Sequence, residues 1–116
     1  MSKSEKEYLK HILDEIDFII ESSKDVIEEK FMYDATLQRA YTRSLEIIGE
    51  ASKCISSDFR KQYCEVDWKG MAGMRDRLIH HYFGVDYDIV WDVVKNEIPK
   101  MKNQLQEILK TVESQI

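Results

Sequence analysis

One proline and four glycines in 116 residues leave little material for turns and long loops. A chain of this length buries a single core and makes one domain, residues 1–116. Scarce turn residues then favour helices joined by short connections. Only two cysteines are present, Cys54 and Cys64, with no Cys-x-x-Cys and no paired Cys/His spacing. That excludes a structural zinc site and reads as two free thiols in a cytoplasmic protein. No apolar run approaches the ~18 residues of a membrane span, and the opening MSKSEKEYLK lacks the apolar core of a secretion signal. A basic excess is also missing: 17 Lys and Arg stand against 22 Asp and Glu, for a net charge of −5. Broad electrostatic binding to nucleic acid wants the opposite balance, so only a local basic site, or a partner with a basic surface, is compatible. Glycine-rich phosphate loops, Gly-x-Ser-x-Gly and dinucleotide fingerprints are absent. So are the paired Glu-x-x-His motifs of diiron bundles; Glu7 and His11 are four apart and alone.

What is there is helical periodicity. Leu9, Ile12, Leu13, Ile16, Ile19 and Ile20 recur at spacings of three and four, predicting a helix from about Ser4 to Ser22, with Ser4 and Glu7 as a capping box. Lys24 to Met32 reads as one or two helical turns. Asp34 is a good N-cap for a second long helix to about Ser56, carrying Leu37, Tyr41, Leu45, Ile48, Ala51 and Ile55 inward. Gly49 lies inside that helix, where a glycine costs about 1 kcal/mol relative to alanine; close approach of another helix explains it. Ser57 to Lys69 reads as a connector with one helical turn, and Trp68 as an anchor into the core. A third helix is expected from about Gly70 to Tyr82, capped by Gly84. A fourth begins near Asp86 or Tyr87 and is interrupted at Asn96 to Pro99, as one kinked helix or two in sequence. The fold class is all-α, an up-and-down bundle of four or five helices, with no competing β pattern.

The chemistry concentrates in Met74 to Phe83, MRDRLIHHYF, where two arginines and two of the three histidines fall within seven positions. On a helix each residue advances about 100°. Asp76 and His80 then share a face, as do Arg77 and His81, and Arg75 aligns with Tyr82. Asp76 can orient the His80 ring and fix its tautomer, whereas Arg77 offers His81 no acceptor. His80 is therefore the better acid–base candidate, and a nearby arginine could hold a phosphate in its planar fork. Arg75 and His80 lie about 140° apart on such a helix, which suits a site completed by a second copy across a two-fold axis. By spacing alone, the stretch fits a solvated basic helix face equally well.

Arg75-Asp76-Arg77-Leu78-Ile79-His80-His81-Tyr82 has the form Arg-x4-His-x-Tyr. Tyr8 to Leu13, Arg43 to Ala51 (RSLEIIGEA) and Trp68 to Trp91 extend the likeness over nearly the whole chain. The sequence resembles the HEPN-domain proteins, specifically the HepT-like ribonuclease toxins of HEPN/MNT toxin–antitoxin systems. One departure is Cys64, where relatives often carry a proline in the connector. The resemblance implies a HEPN bundle that forms a homodimer and a metal-independent RNA endonuclease, without cofactors, acting on tRNA or mRNA. Arg75 and His80 are its implied catalytic pair, with Asp76 supporting. Tyr82 is implied as the tyrosine that a partner nucleotidyltransferase antitoxin modifies with AMP. The alternative is a non-catalytic HEPN module that docks a nucleotidyltransferase or a nucleotide.

Overall fold

The computed structural model describes residues 3–80 and 84–115. Helix α1 spans Lys3–Ser23 and α2 spans Glu28–Met32. The long α3 covers Ala35–Lys53, and the short α4 covers Ser57–Gln62. Two further short helices follow, α5 at Trp68–Ala72 and α6 at Met74–Leu78. Strand β1 (Ile79–His80) pairs antiparallel with β2 (Gly84–Val85). Helix α7 (Tyr87–Asp92) runs through a π-helical turn, Val93–Glu97, into α8 (Ile98–Ser114). Among the described residues the fold is all-α apart from this pair of two-residue strands.

The long helices form where the apolar period predicts them. Leu9, Ile12, Leu13, Ile16 and Ile19 of α1 are buried against α3 and α8, together with Tyr41, Leu45 and Ile48 of α3 and Ile98, Met101, Leu105 and Ile108 of α8. The cap at Asp34 is as expected: its Oδ1 accepts the Leu37 amide at 3.0 Å, and that hydrogen bond holds its carboxyl below the usual carboxylate range. Helix α1, however, starts at Lys3, which puts Ser4 inside the helix rather than at its cap. The connector contains α4, capped by Ser56, whose amide donates to the buried Glu5 carboxylate of α1 at 3.2 Å. Trp68 is the expected anchor, buried edge-on to Phe59, with its indole N–H donating to the Tyr63 carbonyl at 3.0 Å. Cys54 and Cys64 are free and exposed.

Two expectations need correction. The single helix over Gly70 to Tyr82 is broken: Gly73 separates α5 from α6, and α6 ends at Leu78. Gly84 is accordingly not a helix cap but part of β2, opposite His80. The interruption before Pro99 takes the kinked rather than the split form. The Ile98 amide reaches back five residues to the Val93 carbonyl, and Pro99 sits in the first turn of α8, where no N–H is needed.

An aromatic cluster ties α2 to the centre. Phe31 is fully buried, stacked on Tyr41 at 5.5 Å and on Trp91 at 5.2 Å, with Tyr87 edge-on at 6.2 Å. Lys95 of the π turn lies over the Trp91 ring and donates to the Ser23 carbonyl at 2.8 Å, fastening that turn to the end of α1. Truncation of Phe31 to alanine is expected to cost about 3–5 kcal/mol in urea unfolding. Truncation of Tyr33, which is 88% exposed two residues on, is expected to change stability by less than about 0.5 kcal/mol.

Candidate active site

The buried Met74 and Leu78 seat α6 on the core, which turns Arg75 and Asp76 outward, both exposed. Arg75 faces Glu46 of α3, with its Nη1 3.8 Å from the Glu46 Oε2. Arg77 is engaged on another side. Its two terminal nitrogens donate to the two Glu97 carboxylate oxygens at 2.9 and 2.7 Å, an arrangement that raises its already high pKa. Glu97 belongs to the π turn, and this pair walls a cavity of about 480 Å³ between the connector and α8, floored by Met71 and Met101. Of the two arginines, Arg75 is thus the exposed one, opposed only by a longer contact.

His80 does not sit on the helix. Helix α6 stops at Leu78, whose carbonyl accepts the Asp86 amide at 2.7 Å, and the chain continues extended. The expected helical alignment of Asp76 with His80 is lost with the helix. The carboxylate that faces the ring is Asp86, whose Oδ2 lies 3.8 Å from His80 Nε2. Asp86 also caps α7, its Oδ1 accepting the Ile89 amide at 3.2 Å. His80 and Asp86 open into a shallow groove of about 470 Å³ that also includes Met32, Tyr87 and Asp88. Tyr82 and His81 lie outside the described residues.

Glycine at position 84 is required by space. A Cβ there would stand 2.7 Å from the His80 carbonyl oxygen, so any side chain must push β1 and β2 apart. Glu46, Asp86 and Glu97 are the site residues that sequence reasoning missed. Asp86 was visible as a helix start, but its reach to His80 depends on a hairpin that periodicity does not announce. Among the described residues no group of three His, Cys, Asp or Glu side chains is gathered as a metal site, and no helix is long and apolar enough to cross a membrane.

A family model described as Ribonuclease HepT-like matches residues 12–108 of the chain, from α1 into α8. The chain belongs to the HepT-like ribonuclease family. The HEPN resemblance read from Arg75 to Tyr82 therefore holds for the chain as a whole. A protein of Caldanaerobacter subterraneus, provisionally named an RNase, is 50% identical over 107 residues, covering 92% of this chain and 96% of the relative. A second provisionally named RNase, from Methanocaldococcus jannaschii, is 43% identical over 113 residues, covering 97% and 93%. A protein of Thermococcus cleftensis named as a probable ribonuclease HepT is 44% identical over 110 residues, covering 95% of this chain and all of the relative. No solved structure matches the chain.

Replacing Gly84 with alanine is expected to lower stability by about 1–3 kcal/mol through overpacking of the hairpin. Thermal unfolding of Gly84→Ala beside the wild type measures it; an unchanged midpoint would show that the hairpin yields freely.

Proposed function

We propose that this HepT-like protein is an RNA endonuclease, the toxin of a HEPN/MNT toxin–antitoxin pair, with Arg75 and His80 as its catalytic residues. The observation that carries this reading is the exposure of both side chains at the family's motif positions. Arg75 leaves the outer face of α6 and His80 opens into a groove, while the neighbouring Arg77 is taken up by Glu97. RNA supplies its own nucleophile. His80 takes the proton of the 2′-hydroxyl, the 2′-oxygen bonds to phosphorus, and the 5′-oxygen leaves and is protonated from solvent. Arg75 stabilises the charge that builds on the phosphoryl oxygens. The products are a 2′,3′-cyclic phosphate and a 5′-hydroxyl end. A homodimer would bring a second Arg75 and His80 to the same cleft, and tRNA or mRNA is the substrate class. The acidic chain confines phosphate binding to that cleft and makes it salt-sensitive.

The partner in this reading is a nucleotidyltransferase antitoxin that attaches AMP to Tyr82, two residues beyond His80 in sequence. The added phosphate and bulk would repel RNA.

Expressed alone, the wild type is expected to cleave RNA and arrest growth, and His80→Ala and Arg75→Ala are each expected to lose about 10²–10⁴-fold in cleavage rate. Equal cleavage by all three proteins overturns the reading. A harmless wild type that still binds the nucleotidyltransferase would favour the non-catalytic docking module instead. For the modification, incubation with ATP and the partner enzyme should add the mass of one or more AMP units to the intact protein. Tyr82→Phe should abolish the gain, and a gain that persists in that variant assigns the modification elsewhere.

A further inference from the structure

A carboxylate that faces the His80 ring lies outside the Arg75–Tyr82 motif, at the start of α7. We propose that Asp86, rather than Asp76, is the positioning residue that sets the orientation and tautomer of His80. Three contacts hold Asp86 in place. Its amide donates to the Leu78 carbonyl at 2.7 Å, closing the chain just outside the hairpin. Its Oδ1 accepts the Ile89 amide and starts α7. Its neighbour Val85 is paired with Ile79 across the hairpin. With backbone and one carboxylate oxygen committed, the remaining Oδ2 has little freedom, and it is the atom that faces His80 Nε2 at 3.8 Å. The His80 backbone is tied in by the same device, since β1 pairs with β2 and there is no room for a Cβ at Gly84 beside the His80 carbonyl.

A preorganised carboxylate at one ring nitrogen directs that nitrogen's proton toward itself and leaves the other nitrogen as the base. On this proposal a small rotation of the exposed His80 ring closes the 3.8 Å separation to a hydrogen bond from Nε2–H to Asp86, and Nδ1 is the nitrogen that takes the proton of the 2′-hydroxyl. Within one chain Asp76 is not placed for this: it is exposed on α6, and the helix that would have carried His80 one turn above it ends at Leu78. The inference deepens the ribonuclease reading and rests on it for its kinetic part only.

Asp86→Ser separates positioning from capping, because serine is also a strong helix N-cap but is one atom group too short to extend a second oxygen toward the ring. The expected result is a kcat about 10–100-fold lower with KM for RNA within about twofold and an unchanged melting temperature. Asp58→Ser, an exposed carboxylate in the first turn of α4, is expected to cleave at close to the wild-type rate. In parallel, ¹³C relaxation of the His80 ring should show an ordered imidazole in the wild type and in Asp76→Ser, and a mobile one in Asp86→Ser. Wild-type kcat in Asp86→Ser, or a loss that follows a fallen melting temperature, overturns the proposal. So does an imidazole equally ordered in Asp76→Ser and Asp86→Ser. If His80→Ala cleaves as the wild type does, it is the ribonuclease reading that fails, and the ring relaxation alone then decides whether Asp86 positions His80.

Discussion

Helix α3 is the spine of the molecule, packed against α1, α2, α5, α6 and α7, and at Gly49 it is crossed at backbone distance. A Cβ there would lie 3.0 Å from the Met71 carbonyl oxygen and 3.3 Å from the Met74 Cβ. The glycine costs helix propensity, about 1 kcal/mol, and in return α5 and α6 lie on α3 at backbone distance with Met71 and Met74 buried. That seating decides where the next residue, Arg75, emerges. Glu46, three residues before Gly49 on the same helix, is the group it meets. The placement of the Arg75 side chain is thus a consequence of a missing methyl group in the core.

The second constraint is the early end of α6. Once the Leu78 carbonyl takes the Asp86 amide, the chain leaves helical geometry and His80 enters an extended pair. Arg75 and His80 therefore occupy different local structures, and the angle between them is no longer that of a helix. Each faces a carboxylate from an element outside the motif, Glu46 from α3 and Asp86 from the start of α7. The orientation of this candidate pair depends on the tertiary fold, although the two residues lie within six positions of sequence.

Much of this was legible beforehand. The apolar stripes of α1, α3 and α8, the cap at Asp34, the helix start near Asp86, the Trp68 anchor and the close crossing at Gly49 follow from residue type and spacing, because a long amphipathic helix buries its stripe in almost any bundle. The interruption before Pro99 was visible, but proline's missing donor fits both a break and a π turn. The π form places Glu97 on Arg77 and Lys95 on the Ser23 carbonyl, contacts between residues distant in sequence. The choice of His80 over His81 rested on a helical face shared with Asp76, and that face does not exist here; the motif at Arg75 and His80 supports the choice on other grounds.

The sequence by itself determined the helical class, the family and the pair of residues to test, since these depend on composition, local periodicity and a short motif. Only the tertiary structure decided that the motif helix stops at Leu78, that Gly84 serves close approach rather than a cap, and that Asp86 rather than Asp76 faces the histidine. The physical reason is competition for one backbone carbonyl. Locally, Leu78 could have extended the helix; packing instead delivers the Asp86 amide to it, from eight residues away.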